Sequence, residues 1–273
     1  MQDSSMHDSS TFSPMSLLHG AERVVDAAAA QLVTMQNGPL VATRKELRDI
    51  VTEADLASEK IVIDGLKALT PDAAILAEES GLSGAASGPR WIIDPLDGTI
   101  NYAGGLPWFS VTVAYHDGNE IIVGLTKAPA VGLTARYARG LLSTINDQPA
   151  RVSGTRSLSD AIVSVILTSH FSPEEVRRTA RIIERLGSVV RGVRIIISGA
   201  LEMSLVASGR FDAFVSIKAD VVSHAAATPL VRAAGGRVTR LDGTDSQIDD
   251  LEKIASNGLI HDELLACLNE ALR

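Results

Sequence analysis

The sequence predicts an α/β (α+β) fold, and three observations carry that expectation. Two segments with helical spacing of apolar residues are followed by a run of strand-patterned segments. The second half instead alternates strand-like and helix-like segments, the pattern of an α/β unit. Hydrophobic residues make up 45% of the 273 positions and charged residues 21%, enough apolar material for an ordinary globular core. Aromatics are only 4%, so Ala, Val, Leu and Ile must fill that core. The change of character places a divide near residue 150, giving an α+β half over 15–150 and an α/β half over 151–273. Residues 1–14 are polar and Ser-rich and read as a disordered tail, without the basic and apolar regions of a signal peptide.

Each element has a local reason. Ser16 caps a first helix whose Leu17, Leu18, Ala21, Val24, Val25, Ala28 and Leu32 share one face, and Asn37-Gly38-Pro39 ends it. Thr52 opens a second helix with Glu53 and Asp55 in its first turn. Short apolar runs at 73–77 and 90–94 read as strands, separated by a Gly/Ser/Ala loop over 81–89. Further strands are expected at 109–115, 121–127 and 133–138, the first two joined by an Asp117-Gly118-Asn119 hairpin turn. Later come strands at 162–167, 189–195, 211–217 and 253–255. Helices are expected after Ser172-Pro173-Glu174-Glu175, at 198–208 up to Gly209, at 224–234 up to Gly235-Gly236, and at 260–272.

Composition excludes several function classes. A net charge of −8 leaves no basic surplus for a nucleic-acid polymer. One cysteine, Cys267, rules out an internal disulfide framework and a cysteine-built zinc site, and it reads as a small buried apolar residue. The longest uncharged stretch, 27–43, is broken by Gln, Asn, Gly and Pro, so no membrane span is expected, and a cytoplasmic location follows. His7, His19, His116, His170 and His261 show no metal-ligand spacing.

The informative segment is Trp91-Ile92-Ile93-Asp94-Pro95-Leu96-Asp97-Gly98-Thr99-Ile100-Asn101. A strand that ends in Asp, then Pro, then a second Asp puts two carboxylates at one turn, where they repel unless a positive charge lies between them. Oxygen donors without His or Cys alongside suit Mg²⁺ or Mn²⁺. Gly98-Thr99 then offers backbone N–H groups for a phosphate and a hydroxyl for water. The bland alternative is a capped turn with two solvated acids. No aspartate-nucleophile Asp-x-Asp pattern, P-loop or Gly-x-Ser-x-Gly elbow fits, which leaves metal-activated water.

With its flanks, this segment resembles the first signature of the inositol monophosphatase family, within the lithium-sensitive type of metal-dependent phosphatases. Ala77-Glu78-Glu79-Ser80 resembles the family's acidic loop, and Asp49-Ile50-Val51-Thr52-Glu53-Ala54-Asp55 its early helix start. Ala233-Ala234-Gly235-Gly236-Arg237-Val238 and Ala255-Ser256-Asn257-Gly258 match later segments. The resemblance runs from about Leu17 to the C-terminus. It implies a layered α-β-α-β-α sandwich, a homodimer, and a Mg²⁺-dependent phosphomonoesterase acting on a small phosphorylated substrate. It further implies that Glu78, Asp94 and the Leu96 carbonyl bind a first metal, and that Asp94 and Asp97 bind a second. Glu78 and Thr99 would position water, Asp55 would hydrogen-bond Thr99, and the N–H groups of Gly98 and Thr99 would hold phosphate. Glu79 is a ligand or a solvated acid with equal weight. A family lysine has no clean counterpart; Arg44 and Lys45 are the nearest basic residues.

The chain departs from the family in its second signature. Counted back from Gly235-Gly236, the Trp position is Val222 and the metal-binding Asp position is Ser223. A neutral hydroxyl is a poor ligand for Mg²⁺, and Asp220 or His224 could compensate. The same count puts Ser216 where an acid commonly recognises a sugar hydroxyl. Ile195-Ile196-Ile197-Ser198-Gly199 replaces a run of small residues. Ser198, Ser216 and Ser223 are therefore candidate substrate contacts, and myo-inositol phosphate is disfavoured as substrate. The expected activity is hydrolysis of a phosphorylated sugar, polyol or nucleotide. The alternatives are a family member repurposed to another reaction on a phosphosugar or nucleotide, or a non-catalytic binding or regulatory protein.

Overall fold

The computed structural model describes residues 13–38, 42–44 and 50–273. Of the expected tail over 1–14, residues 1–12 lie outside the described residues, as do Pro39, Lys45, Asp49 and the side chain of Arg44, while Ser13 and Pro14 belong to the start of the first helix. In chain order the elements begin with helix α1 (Pro14–Gln36), strands β1 (Ala42–Arg44) and β2 (Ile50–Thr52), and helix α2 (Glu53–Leu69). Strands β3 (Ala74–Ala77), β4 (Gly81–Ser83) and β5 (Arg90–Asp97) lead to the single helical turn α3 (Thr99–Ala103). A meander follows: β6 (Ser110–His116), β7 (Ile121–Ala128), β8 (Leu133–Ala138), β9 (Leu142–Ile145) and β10 (Gln148–Pro149). Then come β11 (Ile162–Val165), α4 (Pro173–Gly187), β12 (Gly192–Arg194), α5 (Gly199–Ala207), β13 (Ala213–Ser216), α6 (Val221–His224) and α7 (Ala227–Ala233). The chain finishes with β14 (Arg237–Thr239), β15 (Lys253–Ser256) and α8 (His261–Ala271).

The result is an α-β-α-β-α sandwich. An eight-stranded sheet in the order β10-β9-β8-β7-β6-β5-β3-β4 carries α1 and α2 on one face, and α5, α6 and α7 on the other. A five-stranded sheet, β12-β11-β13-β15-β14, packs against α5 and α7 and is covered on its far side by α4 and α8. The core has one cluster around Leu17, Val62, Trp91, Ile93 and Val113 and another around Val163, Ile182, Phe214, Ile254 and Leu268.

Several boundaries differ from those expected. Ser13, not Ser16, caps α1, because Pro14 can occupy the first helical position without leaving a donor unused; the Ser13 hydroxyl accepts from Ser16 N. The 81–89 loop begins with β4, which pairs with β3. A β9–β10 hairpin follows from Asn146 and Asp147, both at positive φ, as a tight two-residue turn demands. The helix expected at 224–234 starts earlier, because Asp220 caps it, and is divided at Ala225–Ala226. Pro229 has no N–H to give the carbonyl of Ala225, so one continuous helix cannot form there. The caps at Thr52 and Ser172 are full capping boxes, with Asp55 and Glu175 as the reciprocal acids.

Candidate active site

The site is built where the parallel pairing of two strands ends. β3 and β5 run parallel with Ala77 beside Ile93, so the next residues, Glu78 and Asp94, emerge at the same edge. The pairing of β5 with β6 then slips between Asp94 and Asp97, a bulge at Pro95-Leu96 that re-aims the second carboxylate. Ser58 Oγ donates to the Pro95 carbonyl at 2.7 Å and fixes that bend from α2. Gly98 follows at φ 92°, and a Cβ there would lie 2.6 Å from the Trp108 carbonyl oxygen. Both facts make any other residue at 98 costly.

Glu78, Asp94, Leu96, Asp97, Gly98, Thr99, Asp220 and Ser223 all line one pocket. Asp55 lies beneath it and acts through Thr99. Its Oδ2 accepts from Thr52 N (2.8 Å) and Thr52 Oγ1 (2.6 Å), while its Oδ1 accepts from Thr99 Oγ1 at 2.8 Å. Thr99 Oγ1 is also 3.1 Å from the Leu96 carbonyl. A hydroxyl has one proton, and the carboxylate is the stronger acceptor, so Thr99 donates to Asp55 and keeps its lone pairs for the pocket.

Asp94 is buried, and its Oδ1 accepts from Leu96 N at 3.1 Å. Burial raises its pKa well above the usual carboxylate range, and the charges of Glu78, Asp97 and Asp220 push it further; a hydrogen bond from Ser223 opposes them. Ser223 Oγ stands 2.8 Å from Asp94 Oδ2 and 3.1 Å from Asp220 Oδ2. Asp220, as the cap of α6, also accepts from Ser223 N at 2.7 Å. Asp220 and Ser223 therefore share the corner next to Asp94. Asp97 is held by three donors at the start of α5, Gly199 N (3.0 Å) on Oδ1 with Ala200 N (3.0 Å) and Ser198 Oγ (2.7 Å) on Oδ2, and by Ser110 Oγ of β6 (3.1 Å) on Oδ2. Burial raises its pKa, the hydrogen bonds from Ser198 and Ser110 oppose the rise, and the Asp220 charge adds to it.

Two candidate substrate contacts lie elsewhere. Ser198 is fully buried with its hydroxyl spent on Asp97, and its N–H donates to Glu202 at 2.9 Å. Burial pushes Glu202 up to about 8. Ser216 is buried within β13 and does not line the pocket; Lys218, two residues on, does. β13 ends at Ser216, so the strand rule that would put residues 216 and 218 on one face no longer holds beyond it. Glu79 is not among the pocket's lining residues; its N–H donates to Glu59 at 2.9 Å.

Sequence reasoning missed Lys218, Thr168 and Ser169 on the opposite wall, and it gave His170 no site role. Lys218 Nζ reaches Glu175 Oε2 at 3.1 Å, a pairing across 43 residues that no spacing rule exposes. Ile197 at the pocket wall has φ 64°, which strains a β-branched residue by about 1–3 kcal/mol. Asn101 Nδ2 holds that segment by donating to the carbonyls of Ile196 (2.7 Å) and Ile197 (3.2 Å).

Comparison with known proteins places these features in a lineage. Residues 14–273 match the inositol monophosphatase family. A fructose-1,6-bisphosphatase/inositol-1-monophosphatase of Thermotoga maritima is 36% identical over 85% of this chain and 87% of its own. A Nus factor SuhB of Pasteurella multocida is 32% identical over 86% of this chain and 89% of its own. The solved extragenic suppressor protein suhB from Bartonella henselae superposes with a TM-score of 0.88 at 29% identity, covering 93% of this chain and 98% of that one. Match along almost the whole length, on the same layered fold and with the acidic turn in place, assigns the chain to the inositol monophosphatase family.

Proposed function

We propose that this chain is a divalent-cation-dependent phosphomonoesterase acting on a small phosphorylated sugar, polyol or nucleotide. Family membership supports a phosphatase of the inositol monophosphatase type. The observation that carries the finer reading is the convergence of Glu78, Asp94, Asp97 and Asp220 with the Gly98-Thr99 turn in one pocket. Charge and donor type fit a hard cation: the buried Asp94 carboxylate is crowded by three other acids, and the donors are carboxylate, carbonyl and hydroxyl oxygens. Among the described residues no three His, Cys, Asp or Glu side chains are gathered as a coordination shell.

Glu78, Asp94 and the Leu96 carbonyl would hold one Mg²⁺ or Mn²⁺, and Asp94, Asp97 and Asp220 a second. Such a cation supplies Lewis-acid charge that acidifies the attacking water and offsets charge on the phosphoryl oxygens. Thr99, its proton committed to Asp55, accepts a hydrogen bond from that water and so aims it. Glu78 takes the water's proton. The N–H groups of Gly98 and Thr99 bind phosphate oxygens. Phosphate release from a panel of sugar, polyol and nucleotide phosphomonoesters, with Mg²⁺ or Mn²⁺, tests the proposal; no release with either cation overturns it.

A second reading has its own motive. Ser223 stands where the family's second signature carries an acid, and one relative bears the name Nus factor SuhB. A binding or regulatory protein would show a folded chain without phosphate release in the same panel.

The Ser223 corner yields a prediction. Ser223→Asp sets a new carboxylate against Asp94 and Asp220, so the cation-free protein should melt lower while Mg²⁺ affinity rises about tenfold. Asp220→Asn should weaken Mg²⁺ binding. Calorimetric titration reads both, and unchanged affinity in both variants removes this corner from the cation site.

The chain should also form a homodimer. Trp108, Ile195 and Phe211 line an apolar groove together with Leu201 and Leu205, and Ile195 is 45% exposed. A second copy is the expected occupant, under the C2 symmetry common among homo-oligomers. Light scattering should give about twice the chain mass of 28.8 kDa. A monomer at micromolar concentration refutes this.

A further inference from the structure

We infer that Glu202 is a positioning residue for Asp97: from inside the protein it fixes Ser198 and the first turn of α5, and these hold Asp97 at the wall of the pocket. The inference rests on the reading of the pocket as a cation site and deepens it, since Asp97 is one of the carboxylates assigned to the cation.

Helix α5 starts without a cap of its own. Ser198 occupies the N-cap position, yet its side chain accepts no N–H from the first turn. The first N–H groups of a helix need acceptors from elsewhere. Asp97 supplies them: its Oδ1 accepts from Gly199 N (3.0 Å) and its Oδ2 from Ala200 N (3.0 Å). The Ser198 hydroxyl, not used in capping, donates to the same Oδ2 at 2.7 Å. Asp97 thus caps a helix in the other half of the chain, and its orientation follows that helix turn. With Ser110 Oγ included, Oδ2 carries three donors and Oδ1 one, so Oδ1 has acceptor capacity to spare.

Glu202 governs that turn from behind. It is fully buried, and its Oε2 accepts from Ser198 N at 2.9 Å, the return contact of an acid to its own N-cap residue. Its own N–H donates to the Ser198 carbonyl at 2.8 Å and closes the loop. Its Oε1 is hydrogen-bonded to Ser164 Oγ of β11, which anchors the carboxyl group to the five-stranded sheet. The restraint has strain to resist. Ile197, the residue before Ser198, has φ 64°, and Asn101 holds that segment by the carbonyls of Ile196 and Ile197. Glu202 holds its amide side. Neither Ser164 nor Ser198 is a cation, and burying a carboxyl group without one costs stability. An apolar residue would avoid that cost but leave Ser198 N unpaired and the turn loose.

The test compares Glu202→Gln with Glu202→Leu in the full chain. Glutamine keeps an oxygen for Ser198 N and an N–H for Ser164 Oγ, so calorimetric titration should show Mg²⁺ and Mn²⁺ binding within about threefold of the parent. Leucine removes both contacts and should weaken binding about tenfold or more, the usual loss when the contact that orients a ligand is removed. In the cation-free protein, amide hydrogen exchange at Gly199 and Ala200 should quicken in Glu202→Leu by a larger factor than in α4, and stay slow in Glu202→Gln. Glu202→Ala, which leaves space for water at Ser198 N, should show the same pattern as leucine and covers the case in which leucine does not fold. A purely structural glutamate would lower the melting temperature and speed exchange everywhere, with cation affinity unchanged. That result, or equal losses in the glutamine and leucine variants, overturns the assignment. If the parent binds neither cation, the cation reading falls instead, and the exchange contrast alone decides whether Glu202 positions Asp97.

Discussion

Replacing Asp94 by asparagine should lower phosphate release by about a thousandfold or more and at the same time raise the melting temperature of the cation-free protein. Both effects have one origin. Asp94 is buried against Glu78, Asp97 and Asp220, and its pKa is raised, so keeping it ionised costs folding free energy unless a cation is present. The amide keeps the shape, can accept from Leu96 N, and can donate to Ser223 Oγ, so no polar atom is orphaned. Its neutral group cannot hold a cation, and turnover goes with the charge.

The sign with pH follows from the raised pKa. A carboxyl whose folded pKa exceeds its unfolded value contributes stability at low pH, where it is protonated in both states. That contribution is lost as pH climbs from the unfolded carboxylate range towards the folded value. In excess chelator the gap between Asp94→Asn and the parent should therefore be small near pH 4 and widen towards neutrality. There it should reach roughly 1 kcal/mol or more, about 2–4 °C for a chain of this size. Scanning calorimetry across that range measures it. A variant that melts below the parent at neutral pH, or that still turns over normally, contradicts the assignment of Asp94.

Thr99→Ala should cost about a hundredfold or more in kcat with a much smaller change in KM. The hydroxyl lies in a chain that starts at a helix cap: Thr52 holds Asp55, Asp55 takes the Thr99 proton, and Thr99 presents lone pairs to the pocket. Under the proposed reaction, alanine removes the group that would aim water while leaving the N–H groups of Gly98 and residue 99 that would hold phosphate. Asp55→Asn is the companion variant. It keeps an oxygen for Thr99 but weakens the capping box of α2, so it should lower both kcat and the melting temperature. Steady-state kinetics on the best substrate of the panel decides. A raised KM with normal kcat would make Thr99 a binding residue.

Much of this molecule was legible in the sequence, for reasons that are local. The strand-Asp-Pro-x-Asp-Gly-Thr run needs no distant partner to define a sharp acidic turn, because Pro95 and Gly98 restrict the backbone there. Thr52 with Asp55, and Ser172 with Glu175, announce their helix starts through capping contacts spanning three residues. Periodicity likewise separated the helix pair and meander of the first half from the alternating second half. Short strands without a strong pattern, such as β4 and β14, were not visible, because pairing rather than propensity makes them strands.

The sequence by itself determined the acidic turn and its oxygen donors. Only the tertiary structure decided what surrounds them. It turned Ser198 inward to Asp97, removed Ser216 from the pocket and brought in Lys218. It set Ser223 between Asp94 and Asp220 across 129 residues of sequence and brought His224 Nε2 against Gly199. The physical reason is that backbone restriction and capping act over a few residues and can be read in order. Which side chains share a desolvated pocket depends on how two sheets and the helices between them pack, and that packing joins residues whose separation carries no signal.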